Sequence, residues 1–152
     1  MSFNVNDPAD LLALKTEVTT DPLGLGYDLN ANVTQIAEVI NAKDFTVSKP
    51  KISAAMVRST CTYEAYNNLA IDEQEWLRWI TGSSGFEDEN LPVTDDLKLQ
   101  LTNSSSFWAA GDRTAMNAAM LALIEVPGSR AEVLFGYGTA ISTSDWTTAR
   151  DS

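Results

Sequence analysis

Residues 114–150 read TAMNAAMLALIEVPGSRAEVLFGYGTAISTSDWTTAR and begin with the longest uninterrupted apolar run in the chain. Five apolar residues recur there at three- and four-residue spacing and predict one buried helical face: Met116, Ala119, Met120, Leu123 and Ile124. Leu121 and Ala122 widen this stripe, so we expect the helix to be buried on more than one side. Pro127 and Gly128 predict the end of the helix, because proline lacks the N–H that a helix interior requires.

Two capping boxes follow the apolar run. Ser129 precedes Glu132 by three residues, so the serine hydroxyl can accept a free backbone N–H while the glutamate reaches back to the N–H of the cap. This pattern predicts a short helix whose apolar contribution comes from residues 133–135. Ser142 and Asp145 repeat the pattern and predict the last helix of the chain.

The N-terminal part predicts a helix and then a glycine-containing loop. Asp7 is a suitable N-cap, and Pro8 suits the first helical position. The loop PLGLGY, residues 22–27, is not a phosphate-binding loop, since no apolar strand precedes it and no lysine follows. Its apolar side chains alternate with glycines, so we expect three of them to hold the loop to the core: Leu23, Leu25 and Tyr27.

Both of these regions resemble a known group of proteins. The segment GSRAEVLFGYGTAISTSDWTTAR, residues 128–150, is similar to the C-terminal signature of small uncharacterised tailed-bacteriophage proteins. The segment LALKTEVTTDPLGLGY, residues 12–27, resembles the opening of the same group. The middle of the chain resembles the group only as a run of short helices. Neither motif contains a catalytic constellation, so the resemblance implies a phage origin and not an activity.

The charge of the chain is strongly negative, with a net charge of −11 and a pI near 4.2. Binding to phosphates requires a basic face. The negative net charge therefore argues against direct nucleic-acid binding and against binding to an anionic membrane surface. The simplest interpretation is solubility at high local concentration. Two others are open: carboxylates that imitate DNA phosphates, as in an anti-restriction or anti-CRISPR protein, and an acidic face that docks onto a basic partner.

The residue types needed for most catalytic sites are missing from the sequence. There is no histidine, which removes the usual general base and the commonest zinc ligand. Cys61 is the single cysteine, so it cannot form an intramolecular disulfide, and we interpret it as an inert thiol. We therefore predict no enzymatic activity, no catalytic residue, no cofactor and no metal.

One acidic stretch is a candidate cation-binding site. Five carboxylates lie in residues 87–96 with no basic residue among them: Glu87, Asp88, Glu89, Asp95 and Asp96. A calcium site is conceivable there because hard cations take oxygen ligands, but the EF-hand spacing is absent. A glycosidase pair needs two carboxylates on opposite sides of a cleft, whereas consecutive side chains diverge. A solvated acidic loop is the simplest interpretation.

The expected architecture is a mainly α, single domain spanning residues 1–152, with about seven short helices. One minor two-stranded β pair is allowed for, between residues 44–47 and 139–141. The N-terminus lacks the basic region and apolar core of a signal peptide, and no apolar run reaches membrane-spanning length. We therefore expect a protein made in a host cytoplasm and located in the virion.

The function that we predict is that of a non-enzymatic phage virion structural protein, acting by self-association and docking. A head-tail connector or completion protein, a tail-associated protein or a capsid decoration protein would fit. The expected partners are other phage structural proteins, with this chain as a homo-oligomer in the particle. An alternative is an acidic early phage protein that inhibits a host factor, and a carboxylate-based enzyme comes last.

Exposed aromatic and leucine side chains are the candidates for partner contact. Trp76 and Trp79 lie within four residues on a predicted helix. We assign Trp76 to the core and leave Trp79 open, since such residues bury a large area when inside and mark partner surfaces when outside. The complete set of contact candidates is Leu23, Leu25, Tyr27, Trp79, Tyr137 and Trp146.

Overall fold

The computed structural model describes residues 2–30, 33–81, 91–102 and 113–152. Three of the acidic residues considered above, in the segment 87–89, lie outside the described residues. Side chains at positions 81, 102 and 113–116 also lie outside the description, which includes the first residue of the predicted apolar helical face, Met116.

Helices dominate the described residues, which confirms the predicted mainly α class. They are α1 (Pro8–Thr20), α2 (Val33–Asn41), α3 (Ala54–Thr60), α4 (Tyr63–Asn67), α5 (Ile71–Thr81), α6 (Asp95–Thr102), α7 (Arg113–Ile124), α8 (Arg130–Phe135) and α9 (Thr143–Asp151). The strands are β1 (Phe45–Ser48), β2 (Lys51–Ile52), β3 (Leu91–Pro92) and β4 (Glu125–Gly128). β1 pairs with β4, and β2 pairs antiparallel with β3, with Lys51 opposite Pro92 and Ile52 opposite Leu91.

The chain divides into two compact units, and each has its own apolar core. The first unit consists of Met1–Val47 and Pro127–Ser152, and the second unit is Ser48–Val126. The expected single domain spanning 1–152 stays a prediction. Among the described residues, no helix combines the length and the apolar character that crossing a membrane would need.

The core of the first unit forms where α1 and α2 pack against α9 and α2 packs against α8. Its buried side chains are Leu14, Val18, Ile36, Ile40, Ala131, Phe135, Ile141, Trp146 and Ala149. Phe3 meets Phe135 edge-to-face, with ring centroids 5.1 Å apart, so the N-terminal segment also covers this core. The motif-bearing ends of the chain therefore fold together.

The core of the second unit forms where α3 packs against α5 and α7, and α6 packs against α7. Its buried side chains are Ile52, Val57, Ala65, Leu69, Leu77, Leu97, Leu101, Met120 and Ile124. Trp76 is half-buried against this cluster, in agreement with its assignment to the core.

The predicted helix caps are confirmed. Asp7 caps α1 with Pro8 in the first turn, and its carboxylate accepts the backbone N–H of Ala9 at 2.9 Å. Ser129 and Glu132 form a reciprocal capping box on α8, and Ser142 forms one on α9. These motifs were predictable because every partner lies within three residues of the cap.

The apolar helix α7 departs from prediction at its end and in its burial. It ends at Ile124, and Pro127 and Gly128 lie in strand β4, so they do not terminate the helix. The backbone N–H of Lys49 donates to the carbonyl of Ile124 at 2.8 Å, which satisfies one of the carbonyls that a helix C-terminus leaves free.

Burial of α7 on more than one side was also a wrong prediction. Met120 and Ile124 are buried, whereas Leu121 is 36% exposed and Ala122 is exposed. Residues 133–135 of α8 behave in the same way, because Phe135 is buried while Val133 and Leu134 are exposed. Each helix meets its core along one stripe, so neighbouring apolar residues that widen the stripe remain at the surface.

The predicted strand partner of residues 44–47 is wrong as well. Residues 139–141 form no strand, and β1 pairs with β4 instead. The side-chain amide of Asn41 binds the segment 139–141 in place of a strand. Asn41 Nδ2 donates to the carbonyl of Ile141 at 2.7 Å, and the N–H of Ile141 donates to Asn41 Oδ1 at 2.9 Å. One side chain therefore satisfies both backbone groups of Ile141.

Gly128 is required by a close approach inside the first unit. A Cβ at this position would lie 2.4 Å from Val47 Cγ2 and 2.6 Å from Val47 Cγ1. Val47 is buried and β-branched, so its side chain has little freedom to move aside. We expect Gly128→Ala to lower the free energy of unfolding by about 1–3 kcal/mol, the usual cost of overpacking.

A double-mutant cycle tests whether Val47 is the cause. Combining Gly128→Ala with Val47→Ala should cost less than the sum of the two single changes, because the second removes the atoms that the first would strike. The measurement is urea unfolding followed by circular dichroism. Additive costs would show that the glycine is needed for another reason.

Candidate functional site

A buried ion pair in the first unit joins the two sequence motifs. Glu17 of α1 is 4% exposed, and Arg130 of α8 binds it with both arms of the guanidinium. Arg130 Nε donates to Glu17 Oε1 at 2.7 Å and Arg130 Nη2 donates to Glu17 Oε2 at 3.0 Å. The hydrogen bonds to Glu17 raise the pKa of Arg130, because they favour the charged guanidinium.

Tyr27 extends this pair to the glycine loop. Its hydroxyl donates to Glu17 Oε1 at 3.4 Å. Burial of the ring and the adjacent Glu17 carboxylate both raise the pKa of Tyr27. The prediction that three side chains hold the loop to the core is confirmed for Tyr27, which packs against the core of the first unit. Leu25 is half-buried, and Leu23 is exposed. Leu23 is the most exposed of the three.

Asp21 fixes the backbone conformation of the loop through hydrogen bonds. Its carboxylate accepts the backbone N–H of Leu25 at 2.7 Å and of Gly26 at 2.8 Å. The hydrogen bond from Gly26 is the main cause that lowers the pKa of Asp21. Gly24 and Gly26 have φ of 66° and 88°, a conformation that glycine adopts without a steric cost. The motif around residues 21–27 is therefore explained by the folding of the loop.

A second buried carboxylate organises the turn after α8. Glu132 is buried, pairs with Lys43 and accepts the backbone N–H of Gly138 at 2.8 Å and of Ser129 at 3.1 Å. Burial acts to raise the pKa of Glu132, but the hydrogen bonds from Lys43, Gly138 and Ser129 outweigh it, and the net pKa is lowered. The charged form is thus the one that the fold stabilises.

The outer side of α8 carries an exposed apolar strip in the first unit. Val133 and Leu134 are exposed on α8, and Tyr137 is exposed in the turn that follows the helix. Tyr137 is therefore at the surface, as the contact prediction requires. Trp146 is not, because it is 2% exposed and lies in the core of the first unit. The expectation that Trp146 is an exposed contact residue is wrong.

Among the described residues, the most exposed large apolar and aromatic side chains lie on the second unit. Trp79 and Ile71 of α5 are 79% and 77% exposed, and Tyr63 of α4 is 84% exposed. Glu75 and Arg78 are exposed on the same helix, so they lie on its outer side with Ile71 and Trp79. We call this set of four residues the α5 outer face. Trp79, left open by the sequence, is at the surface.

A pocket of about 360 Å³ lies beside this face, between α3, α4 and α5. Two arginines line it, Arg58 of α3 and Arg78 of α5. The remaining lining among the described residues consists of two tyrosines, two small side chains and one leucine: Cys61, Thr62, Tyr63, Tyr66 and Leu77. The pocket therefore combines two basic side chains with aromatic and aliphatic ones.

Arg78 is held in place within the pocket wall. Its Nη2 and Nε donate to the hydroxyl of Tyr66 at 2.7 Å and 3.2 Å. The hydrogen bond to Tyr66 is also the main cause that raises the pKa of Arg78. Sequence reasoning missed this pocket because Tyr66 and Arg78 are 12 residues apart and belong to different helices. Only the packing of α4 and α5 brings them together.

The acidic stretch gives no metal site within the described part of the chain. Asp95 and Asp96 are exposed in the first turn of α6, where their charge offsets the positive end of the helix. Across residues 2–30, 33–81, 91–102 and 113–152, no group of three or more Cys, Asp or Glu side chains is placed to hold a metal ion. The three carboxylates at 87–89 lie outside this description.

The Glu17–Arg130 pair should be strongly coupled. We expect Arg130→Met to lower the free energy of unfolding by about 3 kcal/mol or more, because it leaves the buried Glu17 carboxylate without its positively charged partner. Glu17→Met with Arg130→Met should cost less than Arg130→Met alone, since it removes the stranded charge as well. Guanidinium unfolding of the three variants checks this, and equal costs for the single and double variants would contradict it.

Stability should depend on pH through Glu132. Its pKa in the folded chain is below the ordinary value of 4.5, so the stabilisation is complete above that value and is lost as the pH falls through the folded-state pKa. We expect Glu132→Gln to be less stable than the native chain at neutral pH and to lose less stability on acidification. Urea unfolding between about pH 3 and pH 7 measures this. Parallel pH profiles for both proteins would refute the assignment.

Comparison with known proteins adds no relative. No protein-family model, curated protein sequence or solved structure matches this chain. The resemblance of the two end motifs to tailed-phage proteins therefore stays a prediction.

Proposed function

We propose that this chain is a non-enzymatic structural protein of a tailed-bacteriophage particle. Its role would be that of a head-tail connector or completion protein, a tail-associated protein or a capsid decoration protein, made in the host cytoplasm. It acts by docking to other phage structural proteins and to copies of itself. The phage setting comes from the resemblance of residues 12–27 and 128–150 to small phage proteins.

One observation carries the docking part of the proposal, the exposure of Trp79 and Ile71 on the α5 outer face. A tryptophan that is 79% exposed gains much of its possible burial only when a partner covers it. Tryptophan is enriched among the residues that dominate binding, where truncation costs on the order of 2 kcal/mol or more. The exposed side chains of Val133, Leu134 and Tyr137 are further contact candidates, on the first unit.

The acidic surface has a simpler explanation than mimicry of DNA. Six of the ten carboxylates of the first unit accept hydrogen bonds from backbone N–H groups: Asp7, Asp10, Asp21, Asp28, Glu132 and Asp145. Glu17 and Asp151 pair with arginines. Most acidic side chains of this unit therefore serve caps, turns and ion pairs, which supports the structural role over a host-factor inhibitor.

Quantitative mass spectrometry of washed particles from the source phage tests the proposal directly. We expect this chain at a fixed ratio to the major capsid protein, since structural proteins follow the symmetry of the particle. About a dozen copies would indicate a ring at the connector or tail, and hundreds would indicate decoration. Absence from washed particles would overturn the structural role.

A surface substitution tests whether the α5 outer face contacts other proteins of the particle. Trp79→Ala should change the free energy of unfolding by no more than about 0.5 kcal/mol, because the side chain is exposed. In phage that carry the variant, we expect several-fold less of the chain in particles. Leu99→Ala is the matched control, since Leu99 is an exposed apolar residue of α6 in the same unit. Equal incorporation of both variants would show that α5 is not part of the interface.

A further inference from the structure

We propose that a pocket formed by α2, the loop at residues 22–27 and the start of β1 binds an arginine side chain presented by a basic segment of a partner protein. This inference rests on the proposed docking function and names the chemistry of one partner. Two carboxylates and four apolar side chains line the pocket among the described residues: Leu25, Glu38, Val39, Ala42, Asp44 and Phe45. All six belong to the first unit.

The two carboxylates of this pocket are the ones that the first unit does not use for its own folding. Eight of its ten acidic side chains serve caps, turns and ion pairs. Glu38 and Asp44 are the other two, and both are exposed. Neither carboxylate forms a hydrogen bond or an ion pair within the described part of the chain. Lys43 lies next to Asp44 in the sequence, but its ammonium group pairs with Glu132. Both carboxylates are therefore available to a cationic group of a partner.

The size and the lining of the pocket favour a single side chain over a small molecule or a metal ion. Its volume of about 240 Å³ is below the range of about 300–1,000 Å³ typical of small-molecule sites. A calcium ion takes about six to eight oxygen ligands, whereas most of this lining is apolar. An arginine suits both parts of the pocket, because its aliphatic stem covers apolar surface while its guanidinium binds carboxylates through parallel hydrogen bonds. The guanidinium is also more weakly hydrated than the ammonium group of lysine.

Backbone hydrogen bonds hold the walls of the pocket in place. The N–H of Leu25 donates to Asp21 Oδ1 at 2.7 Å, which fixes the side formed by the loop. The N–H of Asp44 donates to the carbonyl of Ala42 at 2.9 Å, in the turn between α2 and β1. The apolar lining residues are half-buried, so part of each side chain already packs within the unit. A site that is formed in advance loses less conformational entropy when a partner binds.

The probe is a blocked pentapeptide of sequence Ala-Leu-Arg-Leu-Ala, compared with the same peptide carrying citrulline in place of arginine. Citrulline keeps the length and the planar end group of arginine but has no charge. In two-dimensional NMR of the full chain, we expect the arginine peptide to shift the backbone signals of residues 25, 38–39 and 42–45. The citrulline peptide should bind at least about fivefold more weakly, and added salt should weaken the arginine peptide, because exposed charges are screened. Equal binding of the two peptides, or shifts confined to other residues, would rule out the proposal.

Conservative substitutions of the two carboxylates test the role of charge. Glu38→Gln and Asp44→Asn should each weaken the arginine peptide about three- to fivefold, as expected for the loss of one exposed ion pair. Both variants should unfold at the same urea concentration as the native chain, because surface substitutions of this kind have little effect on stability. Asp151→Asn is the matched control, since it removes one exposed negative charge of the same unit outside the pocket. A loss as large in Asp151→Asn would attribute the binding to net charge and overturn the pocket assignment.

The apolar wall of the pocket has a separate readout. Leu25→Ala should weaken the arginine and citrulline peptides by the same factor, about two- to threefold, because it removes contact with the aliphatic stem and leaves both carboxylates in place. The preference for arginine over citrulline should persist in this variant and fall in Glu38→Gln. A preference that falls equally in both variants would contradict the roles assigned to the two parts of the pocket.

Three outcomes separate this inference from the proposed function. If Glu38→Gln abolishes self-association in sedimentation velocity while the arginine peptide does not bind, the pocket accepts a second copy of this chain and the partner assignment falls. If the chain is present in particles but the arginine peptide does not bind the native protein, the structural role stands and this inference fails. Peptide binding by a chain that is absent from particles would keep the pocket assignment and overturn the phage role.

Discussion

A carboxylate that is removed from water needs a partner, and Glu17 imposes this condition on the first unit. Its side chain is buried, and Arg130 satisfies both oxygens. Breaking such a pair strands a charge in the interior, so α1 and α8 are fixed in one register. Tyr27 adds a hydrogen bond from the loop that follows α1. The helix α1, the loop that follows it and the distant helix α8 are thereby joined by one polar cluster.

Glu132 repeats this principle with partners both near and distant in the sequence. It closes the capping box of α8, pairs with Lys43 and receives the N–H of Gly138 from the next turn. A fully hydrogen-bonded polar cluster favours one arrangement over its alternatives, because a partly satisfied one is costly. The residues of the two end motifs are therefore those that build the first unit. Their polar groups form caps, turns and ion pairs of the fold, so the exposed side chains are the candidates for partner contact.

In the second unit, exposed apolar side chains and an exposed arginine lie together on α5. Trp79 and Ile71 are exposed on α5, and two arginines line the neighbouring pocket. In a chain of net charge −11, long-range repulsion disfavours approach by other acidic proteins. Under the proposed docking role, the exposed side chains of α5 supply the contact area for a partner.

The sequence by itself determined the features whose partners lie within one turn. The mainly α class, the Asp7 cap and both capping boxes were predictable because they depend on spacings of three or four residues. Tertiary structure decided everything that depends on distant partners. Arg130 meets Glu17 across 113 residues, and the pairing of β4 with β1 places Pro127 and Gly128 in a strand instead of at a helix end. It also buried Trp146 and exposed Trp79, because a tryptophan on a helix is covered only if another element packs against that side.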